Sequence, residues 1–372
     1  MSLKEILTNP EAVGYDKPHL KYAEDLLSNG VQNGIFPAAT YMVLRHGMVL
    51  AQGAYGVPQP STKPPTPATI DTVFDLASIT KTFTATLLLQ SIEEGKILLN
   101  STVEDHITEA NGTPIAPLTI KQLATHTSGL PAWKALYKRT KGSALNEILA
   151  TPLEKTPGTH YAYSDLGYIL LGEILSRLHS KPLDTLVKQR ICDPLGMKNS
   201  GFRPPVSQRP HIAATANCPM REGKILLGEV HDANSHSMGG VSGHAGMFSN
   251  APDMARYAVA LCYPEIARHL NIPPLLGNLA RRLMQHSQIE ESIGGHSIGW
   301  FTPPNGYLPR GDLLSLHTFG HTGFTGTMLM FDMDNEIAIL LLTNRVYMPN
   351  DGKESLRVRR LFANAIAGAL RR

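Results

Sequence analysis

Residues 74–95 read FDLASITKTFTATLLLQSIEEG. Ser78 and Lys81 stand three apart at the start of an apolar, helix-periodic run that carries Phe83, Leu87, Leu88 and Ile92. Glu93 and Glu94 follow, and Gly95 lies where a helix C-terminus is expected. Residues i and i+3 share a helix face, so this spacing brings the Ser78 hydroxyl to the Lys81 amine. Free N–H groups at the helix start favour a developing anion. Hydroxyl, amine and anion-friendly helix end are together the minimum for a serine nucleophile. By itself, an S-x-x-K arises by chance about once in a chain of this length, as an N-cap Ser with a solvated Lys one turn on. The flanking sequence therefore has to supply the rest.

Upstream, residues 18–34 form an amphipathic helical pattern with Leu20, Tyr22, Ala23, Leu26, Leu27 and Val31 on one face. YMVLRHGMVLAQGAYG (41–56) is β-rich on both sides of His46-Gly47, which predicts a hairpin. The Pro-rich stretch 57–69 is a loop. Residues 96–295 alternate between helical runs, such as GYILLGEILSRLHS and MARYAVALCYPEIARHL, and loops. Strand character returns in HSIGWF (296–301), HTFGHTGFTGTMLMF (317–331) and EIAILLLTN (336–344), and a last helix covers 354–370. The expected fold class is α/β plus all-α: an antiparallel sheet of about five strands drawn from both chain ends, flanked by the terminal helices. An α/β sheet domain would comprise residues 18–83 and 296–372, with residues 84–295 inserted as a mainly helical domain and a cleft at the junction.

The chain has 372 residues, 42% hydrophobic and 17% charged, an ordinary globular balance rather than a disordered one. A net charge of +3 is too mild to imply nucleic acid as a partner. Arg357, Arg359 and Arg360 lie on a helical pattern and read as a solvated face. Cys192, Cys218 and Cys262 show no metal spacing and are expected to be buried free thiols. No stretch reaches the length of a membrane span, and the opening MSLKEILTNP lacks a signal-peptide h-region. The expected location is cytoplasmic, or periplasmic or secreted if a leader has been removed. Oligomeric state is not legible.

Two further motifs lift Ser78 above chance. Tyr163-Ser164-Asp165 sits in PGTHYAYSDLGYILLGEIL just before a helical run, and His321-Thr322-Gly323 lies in the returning strands. The order S-x-x-K, Y-x-N/D, K/H-T-G, each occurring once, resembles the three-motif signature of the penicillin-recognising serine hydrolases. The Tyr variant is similar to the class C branch: class C β-lactamases, low-molecular-weight D,D-peptidases, and related carboxylesterases and acyltransferases. The resemblance extends from about residue 20 to 370 and includes ATHTSGLP, DPLGMKNSGF and GGVSGHAGMFSNAPDMARY. It implies that Ser78 attacks a carbonyl to form an acyl-enzyme. Tyr163 as a phenolate, or Lys81 as a neutral amine, would take the proton. A Tyr with a pKa of about 10 is a poor base at neutral pH, so its neighbours are expected to lower that value. The oxyanion hole would be the N–H groups of Ser78 and Phe324, with Thr322 and Gly323 along the substrate.

Three departures bear on substrate. His321 stands where β-lactamases usually have Lys; as an imidazolium it would anchor a substrate carboxylate, but a His near pKa 6.5 is mostly neutral at pH 7. Asp165 replaces the usual Asn, where a carboxylate would hold Lys81 protonated and remove an amide donor for substrate. Trp133 occupies the place where class C enzymes often use Gln, which suggests an apolar acyl pocket. His231, Asp232, His236 and His244 match no compact metal pattern, so neither metal nor cofactor is expected; His244 would instead fix its Gly-rich loop, and His126 would be a packed or loop-bonding residue. The function expected is a serine hydrolase acting through an acyl-enzyme on small esters or D-Ala-D-Ala-like peptides. Weak β-lactamase or acyltransferase activity, or a non-catalytic penicillin-binding sensor, are the alternatives.

Overall fold

The computed structural model describes residues 6–138, 143–218 and 220–371. Its main sheet is antiparallel with five strands: β1 (Ala38–Arg45), β2 (Met48–Gly56), β6 (Thr318–Thr322), β7 (Met328–Asp332) and β8 (Ile337–Thr343), in the order β2-β1-β8-β7-β6. The chain ends meet where β1 pairs with β8, Val43 opposite Ile339. The expected hairpin turns at His46-Gly47, with a register shift between Val43 and Leu44. A small second sheet, β3 (Phe74–Asp75), β5 (Met247–Ser249) and β4 (Gly201–Phe202), had no strand signal long enough to be read.

The strand count agrees with expectation, but its composition does not. HSIGWF is no ladder strand: Gly299 turns it at φ 90, and isolated bridges tie His296 to Phe301 and Phe301 to Gly320. In compensation, 317–331 is two strands, because Gly323 to Thr327 makes a turn between β6 and β7.

Both faces of the sheet are covered, which is why EIAILLLTN reads as a continuous apolar run. Side chains alternate between faces along a strand. Tyr41, Val43, Met330, Ile339 and Leu341 pack with Leu27, Phe362 and Ile366 of the terminal helices Lys17–Gln32 and Lys353–Gly368. Met42, Leu44, Phe331, Leu340 and Leu342 point the other way, into the core shared with the helices of the middle of the chain.

The helix Thr80–Glu93 runs through that core. The sequence suggests one apolar face, yet every residue from Thr80 to Leu89 is buried. Its threonines make this tolerable by bonding locally or across a packing contact. Thr82 Oγ1 donates to Ile79 O at 2.8 Å, Thr86 Oγ1 to Thr82 O at 2.9 Å, and Thr84 Oγ1 to Gly243 O at 2.8 Å. The helix Asp165–His179 approaches the same loop so closely that a Cβ on Gly243 would lie 2.1 Å from Tyr168 O. The three cysteines are free and buried, as expected. Among the described residues, no helix is long and apolar enough to cross a membrane.

Candidate active site

Ser78 sits in a 3-10 turn, Ala77–Ile79, that feeds the helix Thr80–Glu93. Ala77, immediately before it, has φ 47, in the left-handed region that L-residues with a Cβ avoid. Asp75 holds that backbone. Its buried carboxylate accepts from Ala77 N at 2.8 Å through Oδ1 and from His231 N at 2.7 Å through Oδ2. Burial pushes the Asp75 carboxyl up to about 6, with the two N–H donors pulling the other way. The β6–β7 turn is tied to the same segment: Thr325 Oγ1 donates to Asp75 O at 2.7 Å, and Thr327 Oγ1 to Leu76 O at 3.0 Å. A Cβ on Gly323 would fall 2.4 Å from Leu76 O, so only glycine allows this approach. The Ser78 turn and the sheet edge are thereby held against one another.

A cleft of about 440 Å³ opens between them. Of the residues expected at the site, Ser78, Trp133, Tyr163, Asp165, Thr322, Gly323 and Phe324 line it. Lys81 is fully buried beneath Ser78; its Nζ donates to Ser78 Oγ at 3.0 Å and to His244 O at 3.1 Å, and pairs with Asp165 Oδ1 at 2.7 Å. The ammonium also lies 4.9 Å from the Tyr163 ring centroid. Tyr163 lines the same cleft as Ser78, close enough for the Ser78 side chain to act on its phenol. The Phe324 N–H has no acceptor among the described residues and is free to meet a carbonyl oxygen. Trp133, Tyr307 and Phe324 expose their rings, giving the mouth the apolar, aromatic walls that Trp133 suggested.

Two expectations are corrected. Tyr163 is not made acidic: burial and the Asp165 carboxylate push its phenol well above the ordinary 10.0, and the nearby Ser78 side chain, which pulls the other way, does not offset them. The carboxylate that pairs with Lys81 thus works against a Tyr163 phenolate. His321 is not at the cleft. Its ring is fully buried, stacked on Phe301 at 4.4 Å, with Nδ1 2.9 Å from Thr322 O and Nε2 unpartnered. Burial, then the charge of Lys81, drives it well below 6.5, so it is a neutral packing residue rather than a carboxylate anchor.

The loop histidines fall where expected. His126, at φ 58, accepts from Ser164 N through Nδ1 at 2.9 Å and packs on Tyr163 at 4.5 Å, fixing the Tyr-Ser-Asp turn. His244 is buried between Ser242 Oγ (2.8 Å from Nδ1) and Asp232 Oδ1 (2.9 Å from Nε2). Asp165, Asp232 and His244 do bring three potential ligand atoms within 4.8 Å of one another. The cation they surround is the Lys81 ammonium, and the His244 ring nitrogens are already engaged. Burial opposes the Asp232 carboxylate, yet His244, the Ser235 N–H and Lys81 hold it below the ordinary carboxylate value.

Sequence reasoning missed Asp75 and Arg345, and weighed Asp232 only as a metal ligand. Arg359 was expected on a solvated face; it is instead buried and lines the cleft with Arg345. A signal existed: Ser355, Arg359, Phe362 and Ile366 follow the i, i+4, i+7, i+11 spacing of the helix's buried face. Burial, then repulsion from Arg345 and Arg360, lowers the Arg359 guanidinium to about 10.

The Beta-lactamase family model matches residues 23–364. A Salmonella enteritidis PT4 protein named "Putative D-alanyl-D-alanine carboxypeptidase" is 32% identical over 379 residues, covering 92% of this chain and 86% of its own. Among solved structures, EstCE1, described as a hydrolase with promiscuous acyltransferase activity, superposes with a TM-score of 0.76 at 21% identity, over 94% of this chain and 99% of that one. A Beta-Lactamase/D-Alanine Carboxypeptidase from Pseudomonas syringae gives 0.71 at 20% identity, over 92% and 98%. At these identities the two structures speak for the fold alone. The family match over nearly the whole length and the Salmonella relative place this chain in the Beta-lactamase family.

Proposed function

We propose that the protein is a serine hydrolase that forms an acyl-enzyme on Ser78, acting on small esters or D-Ala-D-Ala-like peptides. The observation that carries this reading is the convergence of Lys81 Nζ and Tyr163 on Ser78 Oγ in an open cleft beside Phe324. Ser78 Oγ adds to the substrate carbonyl while its proton passes to Lys81, which has handed one of its own to Asp165. The carbonyl oxygen, now an oxyanion, lies on the N–H groups of Ser78 and Phe324. Tyr163, kept as a neutral phenol, suits the donor role. It protonates the departing alkoxide or amine and recovers a proton from Lys81, which in turn recovers the one held by Asp165. The Ser78 proton has then in effect moved to the leaving group, and water reverses the sequence to release the acid. The aromatic mouth favours apolar acyl groups, and a neutral His321 gives β-lactams no carboxylate anchor on β6.

Incubation with a fluorophosphonate followed by peptide mapping tests the assignment. One adduct is expected, on Ser78, and none on the Ser78→Ala protein. An adduct on another serine, or ester turnover retained by Ser78→Ala, would overturn it.

A further inference from the structure

One wall of the cleft is built from two distant segments tied together. Asn234 Nδ2 donates to Lys134 O at 2.8 Å, and Tyr137 N donates to Asn234 Oδ1 at 3.1 Å. The Tyr137 ring packs on the small cluster of Cys218, Leu226 and Ala233. These contacts hold Trp133 and Tyr137, whose ring centroids are 6.1 Å apart, on the same wall as Asp232. Asp232 gives one oxygen to the fold: Oδ1 accepts from Ser235 N at 2.7 Å and meets His244 Nε2 at 2.9 Å. Oδ2 has no hydrogen-bond partner among the described residues. The side chain is 24% exposed and lines the cleft, so this is the oxygen that the cleft offers.

The charges on this wall do not balance. The ion-pair partner of Lys81 among the described residues is Asp165, at 2.7 Å. With His244 as a neutral imidazole donating through Nε2, Asp165 and Asp232 share one ammonium, and a net negative charge remains. A proton passed from Lys81 to Asp165 leaves that total unchanged. The other basic groups nearby are turned elsewhere. Lys134 Nζ donates to Thr151 Oγ1 at 3.0 Å and pairs with Glu147 at 3.4 Å; His236 Nδ1 lies 3.2 Å from Arg221 Nη1. His231 Nε2 donates to Ala216 O at 2.9 Å, and burial lowers the pKa of its ring. Arg345 stands over the Phe324 ring instead. An anionic oxygen beside aromatic rings suits a cation, because the carboxylate supplies charge and a hydrogen bond while the ring faces attract positive charge. A wholly apolar group would gain from the rings but would leave the carboxylate desolvated without a partner.

We propose that Asp232, Trp133 and Tyr137 form a subsite for an ammonium group carried by the substrate. This rests on reading the cleft as the acyl-transferring site, and it makes Asp232 a specificity-determining residue there. The substrates favoured are then acyl compounds with an amine on one side of the scissile bond, rather than wholly neutral esters.

Matched ester pairs test it: 4-nitrophenyl 6-aminohexanoate against 4-nitrophenyl heptanoate for the acyl side, and 4-(aminomethyl)phenyl butyrate against 4-ethylphenyl butyrate for the leaving-group side. Each pair exchanges a terminal ammonium for a methyl group at neutral pH. In the wild type, one pair shows an ammonium preference, and that pair identifies the side. Asp232→Asn is expected to shrink this preference by roughly 10-fold to 100-fold in kcat/KM, and Asp232→Glu, which keeps the charge, by less. Trp133→Leu keeps an apolar contact without the ring face and is expected to shrink it by roughly 2-fold to 5-fold. Asp232 also supports His244, so its variants slow both members of a pair, and the ratio between members reads the subsite. Absence of a preference in the wild type, or an equal loss on both members of each pair in Asp232→Asn, overturns it. Calorimetric binding of benzylamine against benzyl alcohol to the Ser78→Ala protein reads the subsite without turnover. Tighter benzylamine binding that Asp232→Asn abolishes would support it even if no ester is hydrolysed, an outcome that removes the hydrolase reading alone. Equal binding of the two would count against it.

Discussion

Two ends of one cleft treat positive charge in opposite ways. Under Ser78, Lys81 is enclosed by Asp165 at 2.7 Å and the His244 carbonyl at 3.1 Å, with the Asp232–His244 pair behind. Beyond Phe324, Arg345 and Arg359 are buried and, among the described residues, have no carboxylate within ion-pair distance. A buried charge with a close, well-bonded partner is part of the folded structure, and removing one member exposes the desolvation cost of the other. A buried charge without a partner is a standing cost to the free protein that a ligand can relieve. The contrast separates charges matched inside the fold from charges left unmatched among the described residues.

That contrast is first broken or kept by stability measurements on matched substitutions. Lys81→Met leaves Asp165 and Asp232 facing each other without their cation. It is expected to cost about 3–5 kcal/mol in urea unfolding, as well as all acylation of Ser78. A loss under roughly 1 kcal/mol would mean the network is not a closed ion-pair system.

The next effect belongs to the neutral side of the cleft. His126, His296 and His321 are packed around Tyr163 and Phe301, and burial holds each below the ordinary 6.5; for His296 the value is about 3. The unfolded chain takes up these protons below about pH 6.5 and the folded protein does not. Stability is therefore fully present above that pH and falls as pH drops, by up to about 1.4 kcal/mol per pH unit for each histidine. Asp75, raised to about 6, has the opposite sign and offsets part of the loss. The urea midpoint should be clearly lower at pH 5.0 than at 7.5, and His296→Gln should reduce the difference. A midpoint independent of pH between those values would show that the imidazoles are not buried as neutral groups.

The smallest effect sharpens the comparison most. Arg345→Met removes an unpartnered charge and keeps an apolar contact with Phe324, so stability should change by less than about 1 kcal/mol or rise. A loss as large as that of Lys81→Met would mean that Arg345 is matched within the fold.

Local pattern carried the sequence reading far where chemistry is short-range. The i, i+3 spacing set Ser78 beside Lys81, β-rich runs and the His46-Gly47 turn marked β1, β2 and β8, and motif order pointed to Tyr163 and Gly323 as their companions. It failed where a residue's role depends on what lies across the molecule. HSIGWF has strand composition, yet Gly299 and its packing make it a bend. His321 occupies a motif position, yet β6 turns its ring into the core against Phe301. Asp75 has no local signature of a strut; its partners are the adjacent turn and His231, far along the chain.

The sequence by itself paired Ser78 with Lys81 and, through its three motifs, pointed to the family of folds that presents them, because i, i+3 spacing and motif order can be read along the linear chain. Tertiary structure alone decided the charge states of the site. Whether Tyr163 is a phenol, His321 is neutral or Arg359 is unpaired depends on burial and on charges brought in from distant segments, and a linear pattern records neither.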